Sequence, residues 1–142
     1  MRFSPNGQYL LSVSRDRRWA LFKKDEAGDT FILSATNAEP IHSRIIWSCD
    51  WSYDGKYFST SSRDGKVAIW SQSIGSTIEE NSRSEWKCLS VFELEKESIT
   101  AVCFGKSNSN SLMLALGLES GIIKICEFFE NQWTLKMTLN NR

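Results

Sequence analysis

Histidine is nearly missing from this sequence: His42 is the only one among 142 residues. Proline occurs twice and glycine eight times. None of the four cysteines (Cys49, Cys88, Cys103, Cys126) stands in a CxxC pair, and no second histidine is near. The sequence therefore offers no zinc site and calls for no cofactor. Apolar runs are short, as in Leu112–Leu116, so nothing is expected to span a membrane. The opening residues Met1-Arg2-Phe3-Ser4-Pro5-Asn6-Gly7 have neither an apolar core nor a small-residue cleavage site, which excludes reading them as a secretion signal. Sparse cysteine without such a signal reads as reduced, buried thiols in an intracellular protein. Net charge is missing too, because 17 basic side chains balance 17 acidic ones.

Aromatic side chains, in contrast, are plentiful: six Trp and eight Phe. With 41% hydrophobic and 24% charged residues the chain has the composition of a folded protein, and the aromatic excess points to strands and stacked apolar layers. Apolar alternation and turn dipeptides dominate, with no helical stripe. Tyr9–Ser14, Tyr57–Ser61 and Leu112–Leu116 each lead through a tight turn into a second run, respectively Trp19–Phe22, Val67–Trp70 and Ile122–Cys126. Asn6-Gly7, Asp54-Gly55 and Asp64-Gly65 predict hairpin turns, where glycine accepts a positive φ at little cost.

A repeat organises these hairpins. Phe3-Ser4-Pro5-Asn6-Gly7-Gln8-Tyr9 aligns with Trp51-Ser52-Tyr53-Asp54-Gly55-Lys56-Tyr57, and Ser14-Arg15-Asp16 with Ser62-Arg63-Asp64, at one offset of 48. A third copy begins at Ile99 and reaches Cys126, with a polar insertion at Lys106–Ser111. A period near 50 with four strands per copy predicts propeller blades. The fold expected is all-β: about three four-stranded antiparallel blades, over 1–36 (partial), 41–94 (complete) and 98–139 (degenerate). Three blades are too few for a closed ring, so an open arc cut from a larger protein is expected, with its end faces exposed.

The middle copy resembles a WD40 repeat. In that family a His, a Ser or Thr, an Asp and a Trp form a hydrogen-bonded chain, and the resemblance puts His42, Ser62, Asp64 and Trp70 in those places. An indole N–H is only a donor, so a buried Trp needs an acceptor chain ending in a carboxylate. The first copy has Phe22 where the Trp would stand, and the third has Glu95, Ser120 and Cys126 where His, Asp and Trp would stand.

A narrower resemblance is carried by His42–Ser52, Asp54–Phe58 and Ser62–Val67, together with Val13–Lys24 and Ala115–Gly121. These segments are similar to the WD40 subunits of the Elongator complex. The resemblance implies a non-catalytic scaffold that contacts the largest and the catalytic Elongator subunits, in cytoplasm and nucleus, in support of tRNA wobble-uridine modification. It implies no membrane and no small-molecule substrate, and at most an indirect or weak contact with tRNA. A generic WD40 adaptor in signalling or ubiquitin ligation is the alternative. A propeller-based enzyme is a further one, for which the sequence supplies no nucleophile, base or metal cluster.

Charge pattern suggests where partners bind. Residues 1–24 hold six basic groups and one Asp, whereas residues 71–97 hold six Glu against three basic groups. Arg15, Arg17, Arg18, Arg44, Arg63 and Lys66 fall in or beside turns expected at one rim of the arc. Such a rim suits a carboxylate-rich partner or a phosphate backbone; the same residues also suit simple solvation of turns. Trp47 and Trp51 share the parity of Cys49 and are expected in the core between blades rather than as a stacking platform for nucleic acid. Cys49, Cys103 and Cys126 are expected to be inert strand thiols, and Asp50 and Asp54 form no catalytic pair.

Overall fold

The computed structural model describes residues 1–72, 85–94, 96–107, 110–130 and 132–140. Among these the chain forms three four-stranded antiparallel sheets, each a simple meander, and no helix. Blade 1 comprises β1 (Arg2–Phe3), β2 (Tyr9–Val13), β3 (Trp19–Lys24) and β4 (Phe31–Thr36). Blade 2 comprises β5 (Ile46–Trp51), β6 (Tyr57–Ser62), β7 (Lys66–Gln72) and β8 (Trp86–Glu93). Blade 3 comprises β9 (Ile99–Gly105), β10 (Leu112–Leu118), β11 (Ile122–Phe129) and β12 (Gln132–Asn140). The blades stand face to face and do not close into a ring, as the repeat period implied. Glu95, which stands in the His place of the third copy, lies outside the described residues.

The first hairpin turn is built the same way in blades 1 and 2, which explains the repeated Ser-x-(Asn/Asp)-Gly. Ser4 Oγ donates to Asn6 Oδ1 (2.7 Å) and accepts from the Tyr9 amide (2.9 Å); Ser52 does the same with Asp54 (2.7 Å) and Tyr57 (3.0 Å). The glycine that follows, Gly7 or Gly55, sits at φ +70° or +72°, which a side chain would strain.

Two apolar joints hold the blades together. Leu11, Trp19 and Leu21 of blade 1 pack on Cys49, Trp51, Phe58, Ala68, Trp70 and Trp86 of blade 2. Trp19 meets Phe58 and Trp70 edge to face, with centroids 5.1 and 5.2 Å apart, within the favourable range for aromatic pairs. On its opposite face blade 2 sets Val67 and Ile69 against Val102, Leu114, Leu116 and Cys126 of blade 3. Polar groups bridge both joints. Trp51 Nε1 donates to the Arg2 carbonyl (3.2 Å), Trp133 Nε1 to Ser90 Oγ (3.1 Å), and the Phe104 amide to Asp50 Oδ2 (2.8 Å). Asp50 thus fixes the edge of β9, a charge-assisted bond between blades. Blade 2 buries both faces, whereas Leu33 of blade 1 and Met137 of blade 3 remain 58% and 53% exposed on faces that no blade covers here.

The structure overturns two expectations: the place of Trp47, taken from strand parity, and the burial of Cys103, taken from sparse cysteine without a secretion signal. Trp47 is 48% exposed and not in the core with Trp51. The pairing of β5 with β6 is regular from Ser48 to Trp51, but Ile46 opposes Ser62, which leaves Trp47 as an extra residue in a β-bulge. Ile46 takes the inward place, and the Trp47 indole turns the other way, donating to Ser98 Oγ of blade 3 at 3.0 Å. Cys103 is exposed, because it lies on the uncovered face of blade 3.

Candidate functional site

One rim of the arc is assembled by backbone bonds between the β2–β3 turn, the approach to β5 and the β6–β7 turn. The Ile46 amide donates to the Ser14 carbonyl (3.3 Å) and the Arg63 amide to the Ile45 carbonyl (3.1 Å). Asp64 accepts from the Ser43 amide (3.0 Å) and, within its own turn, from the Lys66 amide (2.9 Å). These bonds bring Arg15, Arg44 and Arg63, from three separate stretches of chain, onto one edge.

Beneath this edge runs a chain of hydrogen bonds. Trp70 Nε1 donates to Thr60 Oγ1 (3.1 Å), Thr60 Oγ1 lies 2.8 Å from His42 Nε2, and His42 Nδ1 lies 3.2 Å from Asp64 Oδ2. The assignment that gives every proton an acceptor runs in one direction: indole N–H to Thr60, Thr60 O–H to Nε2, Nδ1–H to the carboxylate. His42 and Thr60 are almost wholly buried. Burial pushes the Asp64 carboxyl up, but hydrogen bonds from His42, Lys66 and Ser43 together outweigh it, and its pKa lies below the ordinary value. His42 is therefore held, almost wholly buried, as a structural relay between Thr60 and Asp64.

The sequence expectation put Ser62 in this chain; the structure puts Thr60 there instead. Ser62 Oγ accepts from the Asp64 amide and donates to the Arg44 carbonyl, both at 3.2 Å, closing the turn above. The reason is distance along β6: Phe58, Thr60 and Ser62 share one face, but Thr60 lies two residues from Phe58, which opposes Trp70, whereas Ser62 lies four away at the strand end. Four consecutive hydroxyl residues, Ser59-Thr60-Ser61-Ser62, hid the distinction. The signal that separates them is that the acceptor must lie within reach of the Trp70 ring edge.

The basic residues divide into two groups. Arg15, Arg44 and Arg63 are exposed, and among the described residues none has an acidic oxygen within 4.0 Å. Arg18 is committed to the fold: Nη1 donates to the carbonyls of Asn37 (2.7 Å) and Ala38 (3.4 Å). Arg17 stands at φ +70° in the place that Gly65 fills in blade 2, so its backbone is strained and its side chain is exposed at the turn. Lys66 is half-buried at the start of β7, opposite Glu93 on β8. In the corresponding turn of blade 3, Gly121 bonds back to Leu118 as Gly65 does to Ser62, so Glu119 occupies the arginine position. The cationic stretch thus belongs to blades 1 and 2 and stops at blade 3. Sequence reasoning missed two residues of this region, Thr60 and the out-turned Trp47. Among the described residues, no group of three or more His, Cys, Asp or Glu is placed to hold a metal ion.

Four-stranded meander blades, stacked face to face and pinned by an Asp–His–Thr–Trp chain, define a WD40 β-propeller protein. The family model described as "WD domain, G-beta repeat" matches residues 1–23 and 38–71. The β-propeller domain of Cps50 (Swd1) from Myceliophteria thermophila superposes with a TM-score of 0.66 at 17% identity, covering 95% of this chain and 37% of that one. The WD40 repeats of RRP9 give 0.67 at 19% identity, covering 97% and 37%. Within this class the chain is a homologue of Elongator complex protein 2. It is 45% identical to that protein from Drosophila melanogaster over 99% of the chain, 47% to the Homo sapiens protein over 89%, and 32% to the Saccharomyces cerevisiae protein over 99%. The chain spans 18%, 16% and 17% of those relatives' lengths, less than a fifth of each.

Proposed function

We propose that this chain is a non-catalytic scaffold segment of the Elongator complex, and that the rim bearing Arg15, Arg44 and Arg63 docks another subunit, the largest or the catalytic one. On this reading it serves tRNA wobble-uridine modification by holding the assembly together, in cytoplasm and nucleus, without performing chemistry itself. The observation that carries the proposal is three exposed guanidinium groups, none within 4.0 Å of an acidic oxygen among the described residues, gathered on one edge of a chain homologous to an Elongator subunit. Guanidinium forks suit carboxylates at protein interfaces, and exposed arginines not engaged by an acid among the described residues are available for them. The fold beneath explains how the edge is kept in place, through Asp64 and Ser62 bonding the loops that carry Arg44 and Arg63.

The test is replacement of Arg15, Arg44 and Arg63 together by Ala in the full-length protein, followed by co-purification and mass spectrometry. Loss of the other Elongator subunits with unchanged folding is the expected result; unchanged recovery of the catalytic subunit overturns the proposal. Capture of a cullin adaptor or a kinase cascade instead would replace it with the adaptor reading. Direct phosphate contact with tRNA would show as binding that falls steeply with salt, and a flat salt dependence argues for protein alone.

A further inference from the structure

The bulge in β5 has a use that the joints do not account for. Without it, Trp47 would lie on the side of Cys49 and Trp51, inside the joint with blade 1; the extra residue turns it out instead. Bulges commonly re-aim a side chain at a working surface. The indole N–H is consumed by Ser98 Oγ at 3.0 Å, so the ring is held in place and what it leaves exposed is apolar surface. Trp47 follows directly on the segment bonded to the Arg63 amide, and it stands two residues from Ile45 and three from Arg44. On its other side lies blade 3, where Glu119 replaces the rim arginine. Trp47 thus marks the border at which the cationic stretch ends. A half-exposed Trp whose N–H is tethered, three residues from an exposed Arg44 with no acidic oxygen within 4.0 Å among the described residues, has the composition of an interface hot spot, where Trp and Arg are enriched.

We infer that Trp47 is the apolar anchor of the rim: the partner segment is an acidic peptide stretch carrying an aromatic side chain, which lies on the Trp47 ring while its carboxylates meet Arg44 and Arg63. This rests on the reading of the rim as a docking surface and adds a sequence requirement to it. Because Glu119 repels carboxylates on the blade 3 side, the acidic residues of the partner run from the aromatic residue toward blades 1 and 2.

The test uses the full chain and two fluorescent probes: a short Glu-rich peptide with one central Phe, and the same peptide with Ser in that place. Burial of one aromatic ring against Trp47 is expected to make the Phe peptide bind about ten-fold tighter than the Ser peptide. Trp47→Ala should erase that difference while leaving salt-sensitive binding of the Ser peptide intact. Ser98→Ala, which loosens the same joint but keeps the ring, should preserve a difference; circular dichroism checks that both variants stay folded. Equal binding of the two peptides to the unsubstituted chain, or a difference that survives Trp47→Ala, overturns the anchor and leaves the rim standing. Failure of both peptides to bind, or binding unchanged by the triple arginine substitution, overturns the rim reading and the anchor with it.

Discussion

Thr60→Val is the sharpest test of the hydrogen-bonded chain under the rim. Valine keeps the branched shape and removes only the hydroxyl. That hydroxyl accepts the Trp70 N–H at 3.1 Å and is bonded to His42 Nε2 at 2.8 Å, and Thr60 is fully buried. Its loss strands one donor and one acceptor away from water, each at about 1–3 kcal/mol, and the added methyl recovers about 0.8 kcal/mol. A net destabilisation of about 1–5 kcal/mol follows. Thr60→Ser is the control, since it removes the methyl and keeps both bonds, at about 1 kcal/mol. Ser62→Ala loses bonds to the Asp64 amide and the Arg44 carbonyl, groups close enough to the surface for water to replace it, and should also cost about 1 kcal/mol. Urea unfolding at neutral pH, followed by tryptophan fluorescence and far-UV circular dichroism, gives the three values if the m-value is unchanged. The reasoning fails if Thr60→Val is no worse than Thr60→Ser, or if Ser62→Ala is the costliest of the three.

Further expectations are separable from this one. Asp64 has a pKa below its ordinary value of 3.8 in the folded chain, so its stabilisation is complete above that value and is lost as pH falls through the lower folded pKa; Asp64→Asn should flatten the acid limb of a stability–pH curve, and an unchanged limb contradicts the link. Burial raises the pKa of Cys49, Cys88 and Cys126, whereas Cys103 is exposed, so a thiol reagent should modify Cys103 first and Cys103→Ser should remove the fast phase. Arg17 at φ +70° carries strain that Gly65 avoids in the equivalent turn; Arg17→Gly should raise stability by about 1 kcal/mol, and a loss in thermal unfolding would show that the side chain does more than decorate the turn.

The blades were legible because strand pairing and turn chemistry are local. Ser4-x-Asn6-Gly7 and Ser52-x-Asp54-Gly55 encode one turn twice, through a serine hydroxyl bonding an Asx side chain two residues on, and such a turn sets the register of its hairpin wherever it occurs. His42, Asp64 and Trp70 were legible by family resemblance, since each is alone of its type at its place in the repeat. Thr60 was not, because its neighbours are also hydroxyl residues and only the three-dimensional approach of the Trp70 ring selects among them. Arg15 and Arg18 looked alike as charges; one reaches solvent, and the other bonds the Asn37 carbonyl nearly twenty residues further along the chain.

Strand parity carries across a sheet only while pairing stays regular. The single extra residue in β5 reversed the fate of Trp47, and no pattern in Ile46-Trp47-Ser48 announces it. The sequence by itself determined the repeat, the three antiparallel sheets, the aromatic joints and the basic character of the first two blades, because these depend on neighbours along the chain and on alternation. Only the tertiary structure decided which hydroxyl completes the buried chain, which arginines are free, and which tryptophan faces outward. Those outcomes depend on distances between blades, where a bulge or a long-range carbonyl outweighs any local preference.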